Sequence, residues 1–266
     1  MKDKMIRMNI NIKKQSIFKT HLTLVFTAFF LLSESAFSTD LNSSNWFYDL
    51  HYYSYSEPSV GVTDNSRLPA LSWGYRNNQG LKNPQEEKKL TGNYEFALVP
   101  TTYSGSGTSN SYYTKFLAEI YLPIRNTSYI GLGYRNHYDH FGFGTTSTGY
   151  AGYDRKSQYL YVPIGAYYFT SYGSFKTQYN FFIQGKQTSY FSQISGYKND
   201  IQNTQKNGYG IDLSYIPNRA NWEIYWRYWE INDSNTDASY YSTGTLNGYY
   251  YEPANKTNEL GIRLAF

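Results

Sequence analysis

Cysteine is absent from the 266 residues. That excludes disulfides and thiolate metal sites, and it fits an oxidising compartment where stray thiols are a hazard. Charge is sparse, at 17% of residues. Beyond the N-terminal segment no apolar run is long and uniform enough for a transmembrane helix. A clustered basic footprint is lacking, which excludes nucleic acid as a partner. The four His show no metal-ligand spacing, and no metal or other cofactor is expected. The loop glycines of Gly105-Ser-Gly107 and Gly142-Phe-Gly144 precede no helix, so they form no phosphate cradle.

Aromatics are abundant instead. They make up 20% of the chain, with 32 Tyr, 16 Phe and 5 Trp. Tyr and Phe carry the apolar surface, while Ser, Thr, Asn and Gly fill the remainder, a mixture suited to strands and polar loops. The mean hydropathy is −0.62. Two-faced barrel strands average to a hydrophilic sequence, so this value does not exclude a membrane.

The N-terminus reads as a secretory signal. Lys2, Lys4, Arg7, Lys13, Lys14 and Lys19 form a positive region, followed by an apolar run of 11 residues from Leu22 to Leu32. That run is too short to span a bilayer as a helix. Small residues at Ala36 and Ser38 place the expected cleavage after Ser38, giving a signal peptide at 1–38 and a single domain at 39–266. Residues 1–38 hold six basic and two acidic side chains, which leaves 18 of each sign in the remainder. The pI near 8.8 is therefore mostly a property of the signal.

Ten segments alternate apolar and polar residues: 45–55, 68–77, 93–103, 112–123, 128–140, 156–170, 175–188, 206–216, 221–232 and 257–266. Each is long enough to cross the hydrocarbon layer as a tilted strand. The final segment is the clearest. Leu260, Ile262, Leu264 and Phe266 face one way, and Glu259, Gly261, Arg263 and Ala265 face the other. A two-faced strand closing on Phe is what the last strand of an outer-membrane barrel looks like. A β-sandwich would put the apolar face inside. Two patterns oppose it: the polar face is crowded with pairable charges, and short links (125–127, 172–174, 217–220) alternate with long ones (141–155, 189–205, 233–256). The expected fold is an all-β transmembrane antiparallel barrel of ten strands, with eight or twelve as alternatives. Short turns face the periplasm and long loops face the exterior. Trp222 and Phe266 fall where a periplasmic girdle would lie.

The chain also resembles a widespread, poorly characterised group of proteobacterial outer-membrane proteins with an outer membrane protein β-barrel domain. The shared landmarks are Tyr53-Ser-Tyr-Ser-Glu57-Pro58, Tyr103-Ser-Gly-Ser-Gly-Thr108, Gly133-Tyr-Arg135, Gly144-Thr-Thr-Ser-Thr-Gly149, Arg155-Lys-Ser-Gln-Tyr159-Leu-Tyr-Val-Pro163-Ile-Gly165, Gly185-Lys-Gln-Thr-Ser-Tyr190, Arg227-Tyr-Trp-Glu-Ile-Asn-Asp233-Ser234 and Glu252-Pro253-Ala-Asn255-Lys-Thr257-Asn-Glu259. The stretch 78–92 is longer than the resemblance leads one to expect. The resemblance implies a fold and a location in the outer membrane of a Gram-negative bacterium. It implies no activity and no catalytic residue.

Four constellations are candidates for function. The polar faces predict an inward network of Asp49, Glu95, Glu119, Arg135, Lys176, Lys186, Asp212, Glu223, Arg227 and Arg263. Its signs nearly balance, which suits a paired polar plug because charges away from water need partners. The alternative is a small selective porin lined by both signs. Second, Asp49-Leu-His51 and His137-Tyr-Asp139-His140 suggest a rim protease like the omptins, if His and Asp reach each other. Third, Glu57-Pro58 follows the first strand and Glu252-Pro253 precedes the last. Barrel closure makes those strands neighbours, so the two elements should share an outer-rim seam capped by Arg155 or Arg67. Fourth, loop 233–256 carries Tyr240, Tyr241, Tyr249, Tyr250 and Tyr251 among Ser, Thr, Asn and Gly, adaptable binding chemistry for a surface ligand. The expectation is a non-enzymatic structural or surface-binding barrel. Its partners would be outer-membrane lipid and lipopolysaccharide, with the barrel assembly machinery during insertion.

Overall fold

A computed structural model describes residues 44–77, 90–124 and 127–266. The expected signal segment and most of the 78–92 connection lie outside the described residues. The strands are β1 (Ser44–Glu57), β2 (Val62–Ser66), β3 (Ala70–Asn77), β4 (Thr91–Gly105), β5 (Gly107–Pro123), β6 (Ser128–His140), β7 (Arg155–Phe169), β8 (Gly173–Ser189), β9 (Ile201–Gln205), β10 (Gly208–Pro217), β11 (Trp222–Ile231), β12 (Thr236–Tyr240), β13 (Leu246–Tyr251) and β14 (Asn255–Ala265). No helix among the described residues is long and apolar enough to cross a membrane.

Every neighbouring pair is antiparallel, and β14 pairs with β1 from Phe47 opposite Ala265 to Ser56 opposite Lys256. That pairing closes a ten-stranded barrel. β2 and β3 share one position between β1 and β4. β9 and β10 share another along β8. The first break falls at Pro69, which has no N–H to give to a ladder. β12 and β13 form a separate hairpin in the connection to β14. The sandwich alternative is excluded by this closure and by the direction of the apolar face.

The strands run further than the sequence segments. β5 and β8 each have 17 residues, where about 9–11 suffice to span the hydrocarbon layer. At one end of the barrel, 170–172 and 218–221 make short turns. At the other, 141–154, 190–200 and 232–254 are long, but β1–β2 and β4–β5 close as tight hairpins. Ser106 alone links β4 to β5. Gly107 at φ 130 supplies the reversal there, a conformation side chains rarely adopt.

The apolar side chains point outward. Leu71, Trp73, Leu98, Phe116, Ile120, Ile164, Phe181, Ile183, Leu213, Ile224 and Leu260 are all exposed on the barrel wall. At the turn end, Trp46 packs edge-on against Tyr75 and Tyr94. Phe266 stacks on Tyr48 at 5.0 Å, and its N–H donates to the Trp46 carbonyl at 3.0 Å. Trp222 lies opposite Leu264 at this same end.

The interior holds large rings seated on glycines of adjacent strands. A Cβ on Gly133 would stand 2.2 Å from the Tyr161 ring, and one on Gly165 would stand 2.3 Å from Tyr129. Gly210 and Gly261 receive Trp229 and Tyr225 in the same way. Tyr121, Tyr129, Tyr167 and Ile216 form a buried cluster near the turn end. A second cluster, Tyr159, Tyr161, Trp229 and Ile231, lies further along.

One bulge changes the face pattern. Leu160 sits opposite Gln184, but Tyr161 sits opposite Phe182, leaving Ile183 as the extra residue of β8. One added residue moves every later side chain to the other face. Before it, Lys176, Gln178 and Asn180 turn inward; after it, Gly185, Gln187 and Ser189 do.

Candidate functional site

The centre of the lumen is filled by an ion network. Glu95 on β4 and Glu259 on β14 are its central anions, with side chains 0% and 1% exposed. Lys115 on β5 bridges them at 2.6 and 2.5 Å. Arg227 on β11 reaches Glu259 at 2.9 Å and Glu95 at 3.4 Å. Arg263 on β14 reaches Glu95 at 2.8 Å, Asp49 at 3.2 Å and Glu223 at 3.6 Å. Arg135 approaches Glu259 at 3.3 Å with its guanidinium 5.2 Å from the Trp229 ring centre. Arg76 holds Glu223 at 2.7 Å. Asp212 lies 3.5 Å from Arg227.

Toward the turn end, Glu119 takes hydrogen bonds from Tyr121, from Tyr161 at 2.9 Å and from Gln178 at 2.9 Å. Lys176 lies 5.5 Å from the Tyr121 ring centre and 5.7 Å from that of Tyr129. Each anion is shared by several donors, which is what buried charges require. Nine of the ten side chains expected inside are placed there. Lys186 is the exception: it follows the β8 bulge and is exposed on the outer wall.

The network also contains Lys115, Glu259 and Arg76, which were not among the ten side chains expected in it. Lys115 lies at the same parity as Glu119 on β5, and Glu259 at the same parity as Arg263 on β14. That signal was available. Arg76 closes β3 beside residues that are not described, and its partnership with Glu223 spans 147 positions.

Of the Asp and His motifs, Asp49 and His51 come within hydrogen-bond reach, while His137, Asp139 and His140 find other partners. His51 Nδ1 lies 2.9 Å from Asp49 Oδ1, and Ser72 Oγ lies 3.2 Å from the same nitrogen. His51 Nε2 has no partner, and the residue is 1% exposed. His137 stacks on Tyr113 at 5.0 Å. Asp139 is held by Ser111 at 2.9 Å and by Arg155 at 3.5 Å. His140 turns to the outer wall and stacks on Tyr112 at 4.5 Å.

At the loop end, the two Glu-Pro elements come together. The Tyr55 hydroxyl is 2.7 Å from Glu57 Oε1 and 3.2 Å from Glu252 Oε1. Arg155 caps them, at 2.9 Å from Glu57 and 3.9 Å from Glu252. Gln187 Nε2 donates to the second Glu252 oxygen. Arg67 instead reaches the Ser111 carbonyl at 3.4 Å. Burial pushes the Glu252 carboxyl up to about 8, with the Glu57 charge adding to it against Arg155. One phenol proton cannot serve two carboxylates, so a protonated Glu252 can donate to the Tyr55 oxygen.

The loops are cross-tied above this seam. Asp154 accepts from the Gly142 N–H at 2.6 Å and from Tyr138 and Gln193 at 3.0 Å. Against the desolvation of burial, these bonds hold its carboxyl below the usual range. The β12–β13 hairpin covers the rim with one face through Tyr250, whose ring lies 5.2 Å from Phe191. Its other face exposes Tyr249 and Tyr251.

These features define a closed barrel of the outer-membrane type with a polar, ion-paired interior. No protein-family model and no curated protein matches the sequence. The outer membrane protease OmpT of Escherichia coli matches in structure with a TM-score of 0.50 and 9% identity, over 88% of this chain and 100% of that one. An outer membrane channel of Pseudomonas putida matches with a TM-score of 0.38 and 10% identity, over 85% of this chain and 97% of that one. At 9% identity the likeness to OmpT shows the fold alone.

Proposed function

We propose that this chain is a closed structural or surface-binding barrel of the Gram-negative outer membrane, without enzymatic activity. The observation that carries this reading is Lys115 clamped between Glu95 and Glu259 at 2.6 and 2.5 Å in the middle of the lumen. A ten-stranded barrel leaves little interior once side chains fill it. Here Arg135, Arg227, Arg263 and the Tyr rings occupy what is left. The outward Leu, Ile and Phe meet lipid, the turn end faces the periplasm, and the long loops face outward to lipopolysaccharide and surface ligands. The landmark motifs support membership of the proteobacterial barrel group that the sequence resembles. The test is planar-bilayer recording on the protein refolded from residues 39–266. The expected result is no stable single-channel current. Large stable currents would establish the porin alternative.

A further inference from the structure

We propose that a small cavity beneath the rim binds a primary ammonium group, carried by a small amine or by a lysine side chain. The proposal deepens the surface-binding reading above and rests on it for access from the loop side. The cavity has a volume of about 40 Å³ and is lined by residues of β1, β2, β5, β6, β7 and β8. About 10–15 Å³ holds one water, so there is room for a group of two or three heavy atoms.

Three polar atoms on its walls lack hydrogen-bond partners: Asp64 Oδ1, the Tyr113 hydroxyl and His137 Nε2. Asp64 is 5% exposed and Tyr113 is 2% exposed. An ammonium carries three N–H donors and no acceptor, one for each of these atoms with the imidazole neutral. Tyr53 and Tyr113, with ring centres 4.3 Å apart, supply faces that attract a cation.

The charges favour the same ligand. Arg155, the cation of the cavity, is engaged by Glu57 at 2.9 Å and Asp139 at 3.5 Å. Asp64 has no ion pair among the described residues. A metal ion fits less well, because no three His or carboxylate side chains converge on one point among the described residues.

The test is calorimetric titration of the refolded protein in detergent with ethylammonium and with Nα-acetyl-lysine amide, using sodium and tetramethylammonium as controls. Saturable binding of either N–H-bearing probe is expected. It should weaken at least tenfold in both Asp64→Asn and Tyr113→Phe and stay unchanged in Lys186→Gln. Binding of ethylammonium points to a free amine as the source; binding of the lysine amide alone points to a peptide. Heats matching those of sodium, equal binding of tetramethylammonium, or undiminished binding in the two folded variants would overturn the proposal. Amine binding by a barrel that conducts would overturn the closed-lumen reading and leave this site standing.

Discussion

Lys115 and Glu259 lie 144 positions apart and meet at 2.5 Å inside the barrel. Lys115 also holds Glu95 at 2.6 Å, so one ammonium separates two fully buried carboxylates. Removing one partner from a buried ion group typically costs about 3–5 kcal/mol, because the charge left behind has no water to turn to. Lys115→Met should lower stability by about that much in urea titrations followed by Trp fluorescence. Adding Glu95→Gln should recover part of the loss. Equal stability of Lys115→Met and the parent would show that the network contributes nothing.

The β8 bulge makes an accessibility prediction. Lys186 lies outward after Ile183, whereas Lys176 lies inward before it. The chain has no Cys, so single introduced thiols report cleanly. Lys186→Cys should react with a membrane-impermeant maleimide in intact cells, and the adjacent inward Gln187→Cys should not. Labelling of both at similar rates would remove the bulge and the parity change it causes.

The rim seam should respond to alkali. The ordinary Glu value is 4.5, and burial raises Glu252 to about 8. The folded state therefore keeps a proton that the unfolded chain releases between those values. By linkage, this group's stability is whole below about pH 4.5 and is lost as pH rises through 8. Hydrogen exchange in 232–254 should be faster at pH 9 than at pH 6 after correction for intrinsic rate. Glu252→Gln should remove the difference; persistence of the full difference in that variant would assign it to another group.

The ring-on-glycine pairs predict steric sensitivity. Gly133 has no room for a side chain because the Tyr161 ring lies where its Cβ would be. Overpacking of this kind costs about 1–3 kcal/mol. Gly133→Val should destabilise the barrel by about that amount in the same urea assay, and Gly133→Val with Tyr161→Ala should relieve the clash.

The turn Asn218–Asn221 carries Arg219 at φ 59, a left-handed conformation that favours glycine. Arg219→Gly should leave stability unchanged or raise it by about 0.4–1 kcal/mol. A measured loss above 1 kcal/mol would mean that the Arg219 side chain contributes where no contact explains it.

The sequence alone determined the class of fold. Alternation with period two is local, so Leu260, Ile262 and Leu264 announce their shared face without any knowledge of partners. The ten segments and nine of the ten inward charges follow from that one rule. It fails at Lys186, because the bulge depends on how β8 pairs with β7. It also passes over Lys115, whose parity was legible but whose two partners lie on β4 and β14. The Glu57 and Glu252 seam was readable because closure makes the first and last strands neighbours whatever lies between. The choice of Arg155 over Arg67 as its cap was not. The tertiary structure decided which charges meet, since lumen pairs such as Lys115–Glu259 and Arg263–Asp49 join positions more than a hundred residues apart. It also placed Asp64, Tyr113 and His137 around one cavity. Only the curvature of a closed sheet brings the inward side chains of three strands to the lining of one cavity.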